Sequence, residues 1–491
     1  MATPPVSCQA LHGPHVAIFP LMAKGHTMPL VDLACLLRGR GLAAVTFVTT
    51  PGNASFVRAA LRRGGAGDGD DAAVLELAYP AGGHAPPGGE AAEGVASVSS
   101  FAAFAEATSA LQPRFEEALA ALRPPVSLLV ADGFLYWAHA SAAALGVPSV
   151  SFLGTSAFAH VVREACVRDK PGASVVSQQE GGAGFDDDAS TSAATTYYTV
   201  PEFAHLRFSL RDLVPPPLPM IDLDTKMAAA VAASRGLIIN TFHDLEGRYI
   251  EHWNQHIGPK STTPREAILD AVAGRHGGRR KVCTVLYISL GTLAAISQAQ
   301  LKEVADGLDR AGVNFLWAVR PDNADLGTGY EERVVGRGKV VREWVDQRQI
   351  LRHPCVRGFL SHCGWNSVLE SVAAGVPLVA WPCEFEQPIN AKFVVDELRI
   401  GVRVHASDGA IGGLVKSEEI TRAVKELMFG EAGMAMALRA TEIAAQAQLA
   451  VSDGGSSWKE VEEMICELCV VDMHGWEANG SRPNLCTHIL P

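Results

Sequence analysis

The sequence predicts an α/β protein built from two doubly wound units of parallel sheet. Short β-branched or apolar runs alternate many times with Gly-, Pro- or Ser-rich loops and amphipathic helical stretches, a pattern typical of repeated βαβ units. The chain has 491 residues, more than one hydrophobic core usually supports, so two domains of about 200 to 250 residues each are expected. Its composition, 48% hydrophobic and 19% charged, is that of a globular protein.

Three apolar runs in the first half predict strands, at 15–20, 127–131 and 149–153. A helix follows the first of them, because apolar side chains recur there at helical spacing. We expect Thr27 to cap this helix and Gly41 to end it. Together these segments make the start of a parallel sheet with helices on its faces.

Five further runs predict the strands of a second sheet, at 284–289, 314–319, 339–342, 358–361 and 377–381. The stretch 256–281 has weak periodicity and many Gly, Thr, Lys and Arg residues, as expected of a domain linker. We therefore divide the chain into an N-terminal domain (1–255), this linker (256–281), a C-terminal domain (282–460) and a last helix with an atypical tail (461–491).

Charge and hydropathy exclude several classes of partner. The net charge is −12 and no Lys/Arg block stands out, so we expect no nucleic-acid partner. Neither a signal peptide nor an uninterrupted run of 18 apolar residues is evident, so we expect a cytoplasmic protein without a transmembrane segment, and a monomer. The ten cysteines are scattered, and Cys466 and Cys469 lack a second ligand pair, so we expect reduced thiols.

No metal site is expected either. Two Asp-x-Asp matches, at 68–70 and 222–224, resemble the pattern of metal-dependent glycosyltransferases, but they are short and neither follows a predicted strand. We interpret both as solvated surface.

Candidate functional residues follow the predicted strands, since ligands of open parallel sheets bind at the carboxyl ends of the strands. His26 and Asp132 hold such positions in the first half. A lone histidine at the start of a helix is more often a satisfied polar residue. Beside a carboxylate that fixes its tautomer, however, an imidazole can take a proton from an alcohol or phenol. We therefore treat His26 as a candidate general base assisted by Asp132.

The segment 361–367 predicts a turn from a strand into a helix in the second half. Ser367 and Glu370 have the spacing of a capping box, and Gly375 is placed to end the helix. Free N–H groups and the dipole of a helix N-terminus make an anion site, suited to a diphosphate without a metal. His362 adds a donor there. The simpler alternative is that Ser367 and Glu370 only cap the helix.

Residues 344–387 closely resemble the signature box of plant secondary-product glycosyltransferases, the family 1 UDP-glycosyltransferases with the GT-B fold. The resemblance implies two Rossmann-like domains facing across a cleft, UDP-glucose as donor substrate, no further cofactor and inverting transfer. Trp344 would stack on the uracil, Gln347 would hold the uracil or ribose edge, and Glu370 would bind the ribose hydroxyls. The implied diphosphate ligands are His362, Asn366, Ser367 and Thr292. The implied sugar ligands are Trp365, Glu386 and Gln387, and His26 and Asp132 match the catalytic pair of the family.

The acceptor pocket should come mainly from the first half. A small phenolic, flavonoid-like or otherwise lipophilic acceptor is favoured, because the local sequence 388–403 resembles that of family members acting on flavonoids and related phenolics. The lining candidates, which could equally be core residues, are Phe134, Tyr136, Trp137, Phe152 and Phe158.

Two alternatives remain open, a transferase that uses another UDP-sugar and a non-catalytic relative that binds a nucleotide sugar or a lipophile. The presence of both His26 and Asp132 argues against the second. A nicotinamide dehydrogenase is disfavoured because no Gly-x-Gly-x-x-Gly follows the first strand.

Overall fold

The computed structural model describes residues 13–64, 73–80, 86, 89–95, 97–171, 197–213, 217–257, 264–266, 284–291, 296–319 and 325–469. Two parallel sheets, each packed against helices, account for most of these residues. The predicted fold class is therefore confirmed: two Rossmann-like α/β domains in the GT-B arrangement. None of the helices in the described ranges is both long enough and apolar enough to cross a membrane.

The first sheet has seven strands in the order β3-β2-β1-β4-β5-β8-β9. Its strands are β1 (His15–Phe19), β2 (Ala44–Thr49), β3 (Ala73–Glu76), β4 (Leu128–Asp132), β5 (Ser149–Leu153), β8 (Leu237–Ile239) and β9 (Pro264–Glu266). A separate antiparallel pair consists of β6 (Tyr197–Thr199) and β7 (Arg207–Ser209). The helices of this part are α1 (Lys24–Gly39), α2 (Pro51–Arg63), α3 (Val98–Ala107), α4 (Gln112–Ala121), α5 (Tyr136–Ala144), α6 (Ala157–Asp169), α7 (Leu218–Ala233) and α8 (His243–His252).

The second sheet has six strands in the order β12-β11-β10-β13-β14-β15. Its strands are β10 (Val285–Ser289), β11 (Asn314–Ala318), β12 (Gly338–Val341), β13 (Val356–Ser361), β14 (Leu378–Ala380) and β15 (Gly401–Arg403). The helices of this part are α9 (Gln298–Ala311), α10 (Tyr330–Arg333), α11 (Gln347–Arg352), α12 (Trp365–Ala374), α13 (Gln387–Lys392), α14 (Ser417–Phe429), α15 (Glu431–Val451) and α16 (Ser456–Cys469).

All eight strands predicted from the sequence are present, with ends within two residues of the prediction. The start of α1 was predicted wrongly, because the helix begins at Lys24 and Thr27 lies buried inside it. The carboxylate of Glu93 accepts a hydrogen bond from the backbone N–H of Lys24 at 2.6 Å. A distant residue thus satisfies the helix N-terminus, and the helix starts before Thr27 could cap it. Gly41 ends the helix as predicted: the last helical residue is Gly39, Gly41 has a φ of 65°, and the backbone N–H of Leu42 donates to the oxygen of Leu37 at 2.9 Å.

The last helix that the structure describes, α16, packs against the first domain. Val461, Met464 and Ile465 of α16 pack into the same hydrophobic cluster as the apolar side of α1. The guanidinium of Arg40 lies 3.5 Å from the ring centre of Trp458. The proposed linker range contains β9, whose backbone extends the first sheet beside β8. The domain boundaries themselves stay a prediction, and residues 470–491 lie outside the described part.

Buried polar contacts join the two domains. The hydroxyl of Ser156 donates to the side-chain oxygen of Asn390 at 3.0 Å, and the Asn390 amide donates to the backbone oxygen of Cys363 at 3.1 Å. At the edge of the interface, Arg348 pairs with Asp32 at 2.5 Å. Because buried polar groups are costly when left unpaired, these bonds favour one relative placement of the domains.

Candidate active site

The cleft between the domains is lined by residues that follow strands of both sheets. From the first sheet come His26, in the first turn of α1 after β1, and Asp132, the last residue of β4. Strands β1 and β4 are neighbours, with Ala17 opposite Leu129. The parallel register therefore brings the histidine and the aspartate to the same edge, as the sequence predicted.

His26 and Asp132 form a hydrogen-bonded pair. The imidazole Nδ1 lies 2.8 Å from one carboxylate oxygen of Asp132, which is only 1% exposed. The other carboxylate oxygen accepts the backbone N–H of Phe134 at 3.1 Å, which fixes the carboxylate. Because the carboxylate accepts, Nδ1 carries the proton and the neutral imidazole keeps its lone pair on Nε2. The His26 side chain is 20% exposed.

The carboxylates around His26 favour its charged form. Burial alone would lower the pKa of His26, but the charge and hydrogen bond of Asp132 oppose burial, with smaller contributions from Glu386 and Glu93. The net effect raises the pKa above its ordinary value of 6.5. These carboxylates therefore stabilise the charged, imidazolium form of His26.

The N-terminus of α12 is the second domain's part of the cleft. The helix begins at Trp365 after Gly364, with no side-chain cap. The predicted capping box is therefore wrong: Ser367 lies inside the helix, and its hydroxyl accepts a hydrogen bond from Gln347 instead. Gly375, with φ of 62°, ends the helix as predicted. The amide of Asn366 reaches across the cleft and donates to the backbone oxygen of Gly25.

His362 occupies a slot between two glycines beside this helix N-terminus. A Cβ atom added at Gly291 would lie 2.9 Å from the imidazole Nε2, and one added at Gly364 would lie 2.5 Å from it. Burial lowers the pKa of His362 to about 4, against a weaker opposing contact with the backbone of Ser289. Its Nδ1 and the side-chain oxygen of Asn366 are buried and have no hydrogen-bond partner among the described residues. A polar ligand at this helix N-terminus would give both atoms a partner.

Gln347 organises the polar residues next to α12. Its amide donates to Glu370 at 2.6 Å and to Ser367 at 2.9 Å, while its oxygen accepts the hydroxyl of Tyr287 at 3.3 Å. The side chain is thus engaged within the protein, and its geometry suits support of the Glu370 carboxylate better than direct contact with a base. Glu370 is half-buried, and its predicted role toward the ribose stays a prediction.

Trp344 presents an open aromatic surface at the edge of the cleft. Its side chain is 46% exposed. The ring meets Phe56 of the first domain edge to face, with centroids 5.7 Å apart, and the Lys24 ammonium lies 5.6 Å from its centre. A planar ring can therefore stack here, although the first domain also contributes to the surroundings of Trp344.

The three predicted sugar ligands have different surroundings. Glu386 is half-buried, and burial raises its pKa. The oxygen of Gln387 accepts the backbone N–H groups of Cys383 and Glu384 at 2.9 and 3.0 Å, which fixes the amide. The indole N–H of Trp365 donates to the backbone oxygen of Asn240 at 2.8 Å, and the side chain is buried between the domains. The indole N–H is therefore not free for a sugar hydroxyl.

Three aromatic rings lie in series beside His26: Phe101 is buried, Phe134 is half-buried and Phe385 is exposed. Phe134 lies 5.5 Å from the imidazole, Phe101 lies 5.1 Å from Phe134, and Phe385 lies 6.0 Å from Phe101 (ring centroids). We call Phe101, Phe134 and Phe385 the aromatic wall. The sequence analysis found only Phe134, because the other two are brought in from α3 and from the second domain. The position of Phe385 next to Glu386 was the one available signal.

The remaining acceptor candidates lie elsewhere. The Tyr136 hydroxyl donates to Glu106 at 2.8 Å, and its ring lies under the Lys226 ammonium. Three candidates are core residues, because they are buried among apolar neighbours on strands and helices: Trp137, Phe152 and Phe158. Side chains enclosed in this way do not reach an open pocket.

Two sequence predictions fall partly outside the described residues. Thr292, a predicted diphosphate ligand, lies there, as do residues 68–70. Asp224 of the other Asp-x-Asp match pairs with Arg163. Within the described ranges, no group of three or more His, Cys, Asp or Glu side chains is arranged to hold a metal ion.

Comparisons with known proteins agree on the family and the fold. A family model described as UDP-glucoronosyl and UDP-glucosyl transferase matches residues 259–442. UDP-glycosyltransferase 90A1 of Arabidopsis thaliana is 36% identical over 93% of this chain and 97% of its own. UDP-glucose flavonoid 3-O-glucosyltransferase 7 of Fragaria ananassa is 31% identical, in an alignment that covers 95% of this chain and 98% of that protein. The structure of Phytolacca americana UGT2 complexed with UDP-2fluoro-glucose and pterostilbene superposes with a TM-score of 0.72, at 26% identity, over 93% of this chain and 100% of that one.

Asp132→Asn should lower the pKa of His26, because the substitution removes the main charge that favours the imidazolium while burial continues to oppose it. The pKa can be measured by NMR titration of ¹³C-labelled histidines, with His26 assigned from the spectrum of His26→Ala. Asp309→Asn, at a surface ion pair with Arg337, serves as the control and should leave the titration unchanged. An unchanged His26 pKa in Asp132→Asn would contradict the assigned pairing.

Proposed function

Because this chain belongs to the plant family 1 UDP-glycosyltransferases, we propose that it transfers glucose from UDP-glucose to a hydroxyl group of a small phenolic or otherwise lipophilic acceptor. The anomeric carbon loses its bond to the diphosphate oxygen and gains one to the acceptor oxygen. UDP leaves, and the acceptor proton passes to His26. Attack opposite the leaving group inverts the α-linked donor to a β-glucoside.

The observation that carries this proposal is the His26–Asp132 pair at the mouth of a cleft whose other side is a helix N-terminus. Nε2 of His26 is the atom that accepts the acceptor proton, and Asp132 holds the ring and stabilises the charge that results. The bond from Asn366 to Gly25 joins the turn that carries the base to the helix that would hold the leaving group. This bond fixes the base relative to the proposed leaving-group site.

The diphosphate site is proposed to act without a metal. The uncapped N–H groups and dipole of α12 attract an anion, and a diphosphate supplies the partner that the buried Nδ1 of His362 lacks. A bound dianion also raises the pKa of His362, so that both ring nitrogens become donors. The positive charge therefore develops only when the leaving group is in place.

Uridine recognition and sugar choice complete the donor site. The exposed ring of Trp344 offers a stacking surface, and the Glu370 carboxylate, oriented by Gln347, suits a pair of ribose hydroxyls. We propose glucose as the sugar on account of Glu386 and the fixed amide of Gln387, and of a relative whose name specifies UDP-glucose. A transferase for another UDP-sugar is the alternative within this chemistry.

The aromatic wall supports an aromatic acceptor. Phe134 and Phe101 lie edge to face beside His26, and such rings favour a planar, π-rich partner. One similar protein is named for flavonoid glucosylation, and a similar structure holds pterostilbene. A flavonoid-like phenol, placed with its hydroxyl toward Nε2, is the acceptor that best fits these contacts.

Purified protein with UDP-glucose should add one hexosyl unit to members of a panel of flavonols, simple phenols, benzoates and terpenols, as detected by mass spectrometry. Turnover should persist in EDTA, because protein donors hold the diphosphate. His26→Ala should reduce turnover about 10²- to 10⁴-fold, the usual contribution of a general base. UDP affinity, measured by calorimetry, should stay within about twofold of wild type, since His26 is not proposed to touch the nucleotide.

Two outcomes oppose the proposal. Undiminished turnover in His26→Ala would remove the histidine from its role. UDP-glucose binding without transfer to any acceptor in wild type would favour the alternative of a non-catalytic nucleotide-sugar binding relative.

Phe385→Ala should raise the KM for a planar aromatic acceptor about 3- to 10-fold, the range that loss of one aromatic contact gives. The KM for UDP-glucose should not change. Phe429→Ala removes an exposed phenylalanine from the end of α14 and is the matched control. Equal KM values for the acceptor in Phe385→Ala and wild type would exclude the second domain from the acceptor pocket.

A further inference from the structure

The helix that carries His26 has no N-terminal cap of its own. Ala23 precedes it, no side chain of this turn caps it, and its first turn has no acidic residue. The cap comes instead from Glu93, which lies 69 residues further along the chain. Its carboxylate accepts a hydrogen bond from the backbone N–H of Lys24 at 2.6 Å. A helix N-terminus lacking such a partner tends to fray, because its first N–H groups have no bonds within the helix.

Glu93 is itself anchored to the loop that it caps. It lies in a short 3₁₀ turn, Ala92–Gly94, and the backbone N–H of Ala92 donates to the oxygen of Met22 at 2.8 Å. Ala92 is fully buried. The backbone of Ala92 and the carboxylate of Glu93 therefore both bind residues 22–24, immediately before His26.

His26 depends on that stretch for its position. Its backbone N–H donates to the oxygen of Ala23 at 3.0 Å, so the imidazole is attached to the turn that Glu93 closes. If the turn opens, Nδ1 moves relative to Asp132, which belongs to a rigid strand. Displacements of about 1 Å at a reacting group can cost 10²-fold in rate.

Glu93 also contributes to the electrostatics of the site. The charged groups around His26 are Asp132 from β4, Glu386 from the second domain, Glu93 from its 3₁₀ turn and, on the helix of His26 itself, Lys24. The negative charge of Glu93 opposes that of Lys24 and adds to the stabilisation of an imidazolium.

We propose that Glu93 is a positioning residue for His26: it caps the catalytic turn from outside the helix and holds the imidazole in line with Asp132. The inference rests on the proposed function of His26 as the general base. Glu93 does not touch substrate, and acts only through the turn and through its charge.

The test separates the hydrogen bond from the charge. Glu93→Ala removes both, and should reduce kcat about 10- to 100-fold while the KM for UDP-glucose stays within about twofold. Glu93→Gln keeps an oxygen that can accept the Lys24 N–H, so it should restore most of kcat. Its pH profile should shift the acidic limb to lower pH, because the neutral amide no longer favours the imidazolium.

Glu90→Ala is the matched control. Glu90 lies three residues away, and its carboxylate accepts the Gly52 N–H at 2.6 Å at the start of α2, so the substitution removes an equivalent cap from a neighbouring helix. Glu90→Ala should leave kcat within about twofold of wild type. It should leave the pKa of His26 within about 0.2 unit, roughly the resolution of such a titration.

Three results would overturn the inference: an unchanged kcat in Glu93→Ala, an equal loss in Glu90→Ala, or no recovery in Glu93→Gln. If wild type transfers no sugar, the proposed function fails, but NMR titration of His26 still tests the inference. An unchanged His26 pKa in both Glu93 variants would then reject it.

Discussion

The hydrogen bond between His26 and Asp132 is the constraint on which the rest of the site depends. Asp132 is fixed by β4 and by the N–H of Phe134, so it cannot adjust to the histidine. The turn at the start of α1 must bring the imidazole to the carboxylate, and three contacts hold that turn: Glu93 on Lys24, the Ala92–Met22 backbone bond and Asn366 on Gly25. Contacts from the first domain and from α12 of the second domain thus position the imidazole of His26.

The two sides of the cleft differ in charge in a way that suits group transfer. Carboxylates surround His26 and favour its protonation, whereas the opposite side offers helix N–H groups and an imidazole whose pKa burial lowers to about 4. In the proposed reaction, a proton released by the acceptor would be stabilised on the side of His26. The leaving diphosphate would be stabilised on the other side, by the helix N-terminus and His362.

The strands, the His26–Asp132 pair and the place of α12 could be predicted because each depends on local periodicity or on the edge where parallel strands end. The predictions that failed depend on long-range contacts. Thr27 is no cap because Glu93 supplies one, and Ser367 is no cap because Gln347 uses its hydroxyl. Trp365 joins the domains through Asn240. The aromatic wall combines residues from α3, from the loop after β4 and from the second domain. Contacts between residues so far apart in the chain cannot be predicted from a local sequence pattern.

The most direct test of the proposed mechanism is a crystal structure of the protein with UDP-2-fluoro-glucose. The mechanism predicts uracil on Trp344, diphosphate at the N-terminus of α12 against His362, and the anomeric carbon within about 7 Å of His26 Nε2. That spacing lets an acceptor oxygen lie within about 3.2 Å of the base and about 3.5 Å of the carbon. A sugar directed away from His26, or a diphosphate bound apart from α12, would contradict it.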